Sequence, residues 1–184
     1  ATVVRVRDSE RKIMTMFDKK GRVRTYARRT ISKLARSKKG RVRILHPRLI
    51  KLLGKVAEHY PGQTIEIISG YRPHKRGRSK RSQHSRGKAV DFRVRGVSNI
   101  DLYRFLKTFD KVGVGYYPNS TFVHLDVRKR KYLWTDVSGK GEPARYLKAG
   151  SPGTAENLTE EIDAEEVDTA AAADPENFDD EIEK

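Results

Sequence analysis

The feature that most constrains the fold is the alternation of short β-branched segments with amphipathic helical segments along the chain. Alternating or β-branched residues predict strands at residues 3–7, 12–17, 22–26, 64–69, 89–94, 112–117 and 122–128. Apolar residues at three-to-four spacing predict helices at about residues 28–38, 47–60 and 99–109. We therefore expect an α+β fold, with an antiparallel sheet and helices packed mainly on one side.

Charge divides the chain into two parts. The net charge is +16, but residues 154–184 contain thirteen acidic residues and one basic residue. Residues 1–153 therefore hold 39 basic and 11 acidic residues, a formal charge of +28. The acidic segment has too few apolar residues to form a core. We expect a folded domain at 1–150, a disordered acidic tail at 151–184, and an anionic partner for the cationic domain.

Several classes of protein are excluded by composition. The chain has no cysteine, which removes disulfide frameworks, thiolate metal sites and cysteine nucleophiles. No apolar run approaches the roughly 20 residues of a membrane-spanning helix, so we expect no transmembrane segment. No leader is visible in the sequence. Because the chain has no cysteine, any metal ion must be bound by His, Asp or Glu.

The sharpest motif runs from Ser82 to Asp91 and reads SQHSRGKAVD. His84 and Asp91 can meet one ion if the chain turns at Gly87 and then enters a strand. Asp91 would then lie between apolar residues, where an unpaired carboxylate is costly and a metal partner removes that cost. The motif therefore predicts a metal site.

A second motif, Phe122-Val-His-Leu-Asp126, contains a further candidate ligand. Because residues two apart in a strand project from the same face, His124 and Asp126 point together. Two imidazoles and one carboxylate, from His84, His124 and Asp91, leave a fourth tetrahedral position for water. That arrangement is typical of catalytic zinc.

These motifs resemble those of a known family. Residues 82–91 match SxHxxGxAxD, a signature of the D-alanyl-D-alanine metallopeptidases, whose fold is similar to that of hedgehog-type domains. The segments Ser69–Arg72, Gly113–Pro118 and Phe122–Asp126 resemble the YcbK-like branch, which contains murein endopeptidases. The resemblance covers roughly residues 12–134.

The resemblance implies a periplasmic or cell-envelope enzyme that uses one Zn²⁺ ion and cleaves the peptides of peptidoglycan. It also implies that His84, Asp91 and His124 are the zinc ligands and that Arg72 lies near a substrate carboxylate, for which a guanidinium is well suited. From the matched motifs we add three candidate substrate-binding residues: Tyr71, Ser82 and Tyr117.

The sequence departs from the family pattern at one position. Other branches place a Glu or Asp as general base three residues before the last His ligand, and this chain has Thr121 there. Asp126 is the nearest carboxylate, so we interpret it as the base or as a residue that orients His124. In a second permutation, Asp126 is the third ligand and His124 is the acid–base group.

Two functions from different classes fit this pattern. The first is a monomeric zinc peptidase that hydrolyses amide bonds in peptidoglycan stems or cross-links through a metal-activated water. The second is a non-catalytic, metal-stabilised module that binds an anionic wall polymer or nucleic acid. Specific nucleic-acid recognition is disfavoured because no known DNA- or RNA-binding motif is present. Two further hypotheses concern charge: the basic loop at 75–81 guides substrate, and the acidic tail shields the basic surface.

Overall fold

The computed structural model of the chain describes residues 1–74 and 82–147. The basic loop at 75–81 and the acidic tail at 151–184 lie outside the described residues. Within the described ranges, none of the helices combines the length and the apolar character that a bilayer-spanning helix requires.

The centre of the fold is a seven-stranded mixed sheet with strand order β2-β1-β3-β4-β6-β5-β7. The strands are β1 (Thr2–Arg5), β2 (Glu10–Ile13), β3 (Thr64–Ser69), β4 (Ala89–Val94), β5 (Val112–Tyr116), β6 (Val123–Val127) and β7 (Tyr132–Thr135). The expected α+β class is confirmed, but the purely antiparallel sheet is wrong. β1 is parallel to β3, and β5 is parallel to β7. The first parallel pair arises because two helices cross between β1 and β3, which a parallel connection requires.

Three α-helices are present in the described residues: α1 (Thr25–Leu34), α2 (Pro47–His59) and α3 (Asn99–Lys107). Pro47 occupies the first turn of α2, where its missing N–H has no cost. Ser98 caps α3 by accepting a hydrogen bond from the backbone N–H of Asp101 at 3.1 Å. Both predicted helix starts are therefore confirmed.

The N-terminal region differs from the expectation. The second strand is Glu10–Ile13 rather than 12–17, and most of the predicted strand at 22–26 is replaced by an isolated Phe17–Val23 bridge and the start of α1. Phe17 packs against Gly54 of α2, where an added Cβ would lie 2.2 Å from the ring. Tertiary packing therefore overrides the local strand propensity here.

The two faces of the sheet have opposite character. Residues of one face, including Ile67, Phe92, Val114 and Leu125, join apolar residues of all three helices in one hydrophobic core. The other face presents Glu66, Asp91, His124 and Asp126, together with the glycines of β5, as the strand registers require. The helices therefore stabilise one face and leave the other available for a polar site.

Candidate metal centre

The register of β4 and β6 brings two of the predicted ligands together. Asp91 and His124 are cross-strand partners, and Asp91 Oδ1 lies 2.8 Å from His124 Nδ1. Both residues are buried. Directly opposite residues on adjacent antiparallel strands are about 5 Å apart at Cβ, which is the separation that two ligands of one ion need.

His84 reaches the same point from the loop before β4. It begins a short 3-10 helix, His84–Arg86, that ends at Gly87 with a φ of +66°. Glycine adopts this left-handed conformation without steric cost, so the chain can reverse into β4. The His84 Nδ1 atom lies 2.7 Å from the carbonyl oxygen of Gly70. Because a carbonyl oxygen only accepts, Nδ1 carries the proton and Nε2 keeps its lone pair.

The geometry of these three donors fits a tetrahedral metal ion. His84 Nε2 lies 3.3 Å from His124 Nδ1 and 3.3 Å from Asp91 Oδ1. In a tetrahedral site with bonds of about 2.0 Å, the ligand atoms are about 3.3 Å apart. The remaining distance, between Asp91 and His124, is 2.8 Å, so binding requires that pair to separate by roughly 0.5 Å. The chemistry and the spacing of the donors therefore suit a zinc-like cation.

The pKa shifts of Asp91 and His124 also favour a bound cation. Burial opposes ionisation of Asp91, but His84 and His124 outweigh it and hold the pKa of that carboxyl far below its usual value. Burial also disfavours the charged form of His124, yet hydrogen bonds to Asp126 and Asp91 raise its pKa. The site therefore stabilises positive charge between the ligands, as a cation-binding site must.

Arg72 already contacts two of these ligands. Its Nη2 atom hydrogen-bonds to His84 Nε2 and lies 2.6 Å from Asp91 Oδ2, while 51% of its side chain remains exposed. The guanidinium therefore uses the same His84 lone pair that a metal ion would use.

Asp126 lies immediately behind His124. It is fully buried, and its Oδ2 lies 3.0 Å from His124 Nε2. Arg128 donates to both carboxylate oxygens, at 2.6 Å each. Although burial opposes ionisation, the hydrogen bonds from His124 and Arg128 keep the pKa of Asp126 below its usual value.

Two of the three donor residues, His84 and His124, border a cleft of about 450 Å³, whereas Asp91 is not among its lining residues. Its lining also includes Ser82, Tyr117, Trp134 and the exposed Tyr146. Burial raises the pKa of Tyr117, so its hydroxyl stays protonated, and Trp134 Nε1 donates to it at 3.2 Å. The cleft thus combines three aromatic side chains with a larger number of polar and charged groups.

The predicted site residues do not all line this cleft. Arg72, His84, His124 and Asp126 are present among the lining residues along with Ser82 and Tyr117. Tyr71 is not among them; its ring lies 6.0 Å from the Arg43 guanidinium. Thr121, the position of the missing carboxylate, is exposed and outside the lining as well.

Several residues of the site were missed by the sequence analysis: Gly70, Gly113, Gly115, Arg128, Trp134 and Tyr146. One signal was available, because glycines alternate with valines in Val112–Tyr116, and glycine inside a strand marks a close approach of other groups. An added Cβ at Gly115 would lie 2.6 Å from the Trp134 ring. No local pattern indicated the roles of the others.

Comparison with known proteins identifies relatives of this chain. The probable peptidoglycan L,D-endopeptidase MepK of Haemophilus influenzae is 42% identical over 71 residues, covering 34% of this chain and 38% of that protein. The peptidoglycan L,D-endopeptidase MepK of Escherichia coli K12 is 34% identical over 91 residues, covering 45% of this chain and 48% of that protein. The matched segments are thus less than half of either relative, and no solved structure is significantly similar.

A family model gives the most extensive match. It is described as peptidoglycan L,D-endopeptidase MepK and matches residues 2–132, which include every strand from β1 to β6 and all three candidate ligands. This chain therefore belongs to the Peptidase_M15_2 family, the family of peptidoglycan L,D-endopeptidase MepK.

Proposed function

We propose that this chain is a zinc-dependent endopeptidase that hydrolyses amide bonds in the peptide cross-links of peptidoglycan. The observation that carries the proposal is the convergence of His84 Nε2, Asp91 Oδ1 and His124 Nδ1 beside an open cleft. Two curated relatives are named as peptidoglycan L,D-endopeptidases, which favours a cross-link as the substrate. The family membership also favours this function over a non-catalytic binding module.

The three donors would hold the metal ion beside the cleft. A zinc ion bound there would supply a water molecule of near-neutral pKa and would polarise the scissile carbonyl group. The buried Asp91 stabilises the positive charge of the site. The ligands come from β4, β6 and the short helix that ends at Gly87, and sites built on such elements hold their geometry better than sites on loops.

Substrate contacts are assigned to side chains of the cleft. Arg72, half exposed and next to the ligands, would bind a peptide carboxylate through its guanidinium. Tyr117 retains its hydroxyl proton and would donate a hydrogen bond to a peptide carbonyl group. Ser82 lines the cleft near His84 and would contact the peptide backbone. For Tyr71 we propose a supporting role, since its backbone N–H bonds to the Ala35 carbonyl at 2.7 Å and so fixes the segment before Arg72.

The positive charge of the domain and the peptidoglycan endopeptidases among its relatives support a proposal for the location and the larger partner. A domain of formal charge +28 over residues 1–153 attracts polyanions. We propose that the protein acts as a monomer in the bacterial cell envelope, where anionic wall polymers surround the peptide substrate.

The test is digestion of purified muropeptides by the zinc-loaded protein, with products read by mass. The wild-type protein should release the products of cross-link hydrolysis, and a chelator should stop the reaction. His84→Ala should lower cleavage by at least about 10³-fold because it removes one of three ligands. His74→Ala, in an exposed loop residue, is the matched control and should cleave normally. Binding to wall polymer without any cleavage would instead support the non-catalytic module.

A further inference from the structure

Asp126 has an unusual environment for a candidate general base. It is 0% exposed, and both of its oxygens already accept hydrogen bonds from Arg128, with Oδ2 also facing His124 Nε2. A general base must reach the proton that it removes. A carboxylate enclosed in this way is better suited to fixing the orientation of its neighbours.

The contact between Asp126 and His124 fixes which ring nitrogen can bind a metal ion. Asp126 Oδ2, 3.0 Å from Nε2, accepts a hydrogen bond from it, just as Asp91 Oδ1 accepts one from Nδ1 at 2.8 Å. Nδ1 is the nitrogen that faces Asp91 and His84, so it is the one that would exchange its proton for a metal ion while Nε2 stays bonded to Asp126. A carboxylate behind a metal-binding histidine both orients the ring and increases its basicity.

Arg128 is held in place from several sides. Its guanidinium carbon lies 5.3 Å from the centre of the Trp134 ring and 5.2 Å from that of Tyr132. These distances are within the range of a cation–π interaction. Both aromatic residues belong to β7, which pairs with β5. The guanidinium therefore has little freedom to leave Asp126.

Gly113 provides the space for this arrangement. It is the cross-strand partner of Asp126, and an added Cβ would lie 2.4 Å from Arg128 Nε and 2.6 Å from Asp126 Oδ2. Any side chain at this position would therefore displace the ion pair. The Asp126–Arg128 ion pair therefore requires a residue without a side chain at position 113 of β5.

We propose that Arg128 is a positioning residue: packed over Gly113, it fixes the orientation of the Asp126 carboxylate, and Asp126 in turn would hold the His124 ring with Nδ1 available to the metal ion. This inference rests on the proposed function, from which it takes the identity of the metal ion. It assigns Asp126 the orienting role rather than that of general base. Arg128 contacts the carboxylate of Asp126 rather than the donor atoms of the three candidate ligands.

The first test measures zinc affinity, which does not depend on whether the protein cleaves muropeptides. Arg128→Gln should weaken Zn²⁺ binding by roughly 10- to 100-fold in competition with a chelator. Arg128→Lys should recover part of the loss, because an ammonium group restores the charge but cannot donate in parallel to both oxygens. Arg130→Gln, an exposed arginine two residues away, is the matched control and should bind as the wild type does. Unchanged affinity in Arg128→Gln would overturn the proposal.

A second variant covers the case in which Arg128→Gln fails to fold. Gly113→Ala keeps both charges but disturbs their geometry, so it should also weaken zinc binding. Side-chain ¹⁵N spectra of the zinc-loaded protein should show His124 protonated at Nε2 in the wild type and a mixed population of tautomers in Gly113→Ala. A single Nε2-protonated form with wild-type zinc affinity in this variant would contradict the positioning role. If the zinc affinities change as proposed but the protein cleaves no muropeptide, the proposed function is refuted and the positioning role of Arg128 is not.

Discussion

At the scale of single residues, the two ring nitrogens of His84 have different hydrogen-bond partners. Nδ1 is fixed by the Gly70 carbonyl at 2.7 Å, and this leaves one lone pair at Nε2. Arg72 hydrogen-bonds to that atom and to Asp91 Oδ2. A metal ion needs the same lone pair, so metal binding and this position of Arg72 exclude each other. The released guanidinium would then be available to a substrate carboxylate.

We therefore expect Arg72→Gln to bind Zn²⁺ more tightly than the wild type while hydrolysis falls. Loss of the competing guanidinium should tighten binding by roughly tenfold, or about 1.4 kcal/mol, as measured by chelator competition. Arg86→Gln is the control, because it removes the same charge from an exposed position close to His84. It measures how much the loss of one positive charge changes zinc affinity without removing the contact with His84 Nε2. Weaker zinc binding in Arg72→Gln would show that Arg72 supports Asp91 rather than competing with the metal.

At the scale of elements, the polar face of the sheet is held together by cross-strand pairs as well as by backbone hydrogen bonds. Glu66 of β3 is buried and accepts hydrogen bonds from Arg93 at 2.6 Å and from Arg95 Nε at 2.9 Å, at and just beyond the end of β4. Since β4 also carries Asp91, this cluster supports the strand that presents the ligand. A buried carboxylate is stabilising only while such partners are present.

This cluster predicts a pH dependence of stability. Burial opposes ionisation of Glu66, but Arg93 and Arg95 lower its pKa below the usual value. The folded state therefore binds this proton more weakly than the unfolded state does. The contribution to stability is present above the unfolded pKa and is lost as the pH falls through the folded pKa.

Glu66→Gln should accordingly lower the free energy of unfolding at pH 7 by about 1 to 2 kcal/mol, as measured by urea denaturation. The difference from the wild type should shrink in acid, because the wild-type carboxyl is then protonated. Glu58→Gln, at an exposed position of α2, should change stability little at either pH. A deficit that is the same at pH 7 and at acidic pH would contradict the electrostatic explanation.

At the scale of the whole molecule, opposite charges are joined in one chain. Residues 1–153 carry a formal charge of +28, and residues 154–184 contain thirteen acidic side chains. A tethered polyanion has a high effective concentration near the surface to which it is attached. We expect it to compete with anionic wall polymer for the basic domain.

Deletion of residues 151–184 should therefore strengthen binding to purified wall polymer, by roughly 3- to 10-fold at low ionic strength. The gain should disappear near 0.5 M salt, because screening limits such interactions to a few ångströms. Co-sedimentation across a salt series measures both effects. A tail of equal length with Asn and Gln in place of Asp and Glu separates charge from bulk. If the neutral tail binds like the native chain, charge shielding is not the mechanism.

The sequence by itself determined the α+β class and the candidate donor residues of the site. Alternation and helical spacing are local patterns, so they predicted most of the elements from Thr64 to Val127, and motif spacing identified His84, Asp91 and His124 as candidate ligands. Only the tertiary structure showed that the sheet is mixed, that the strand register places Asp91 opposite His124, and that Arg128 packs over Gly113. These features depend on contacts between residues far apart in the chain, and a local sequence pattern carries no information about the free energy of such contacts. The shortened second strand has the same cause, because the packing of Phe17 against α2 outweighs its strand propensity.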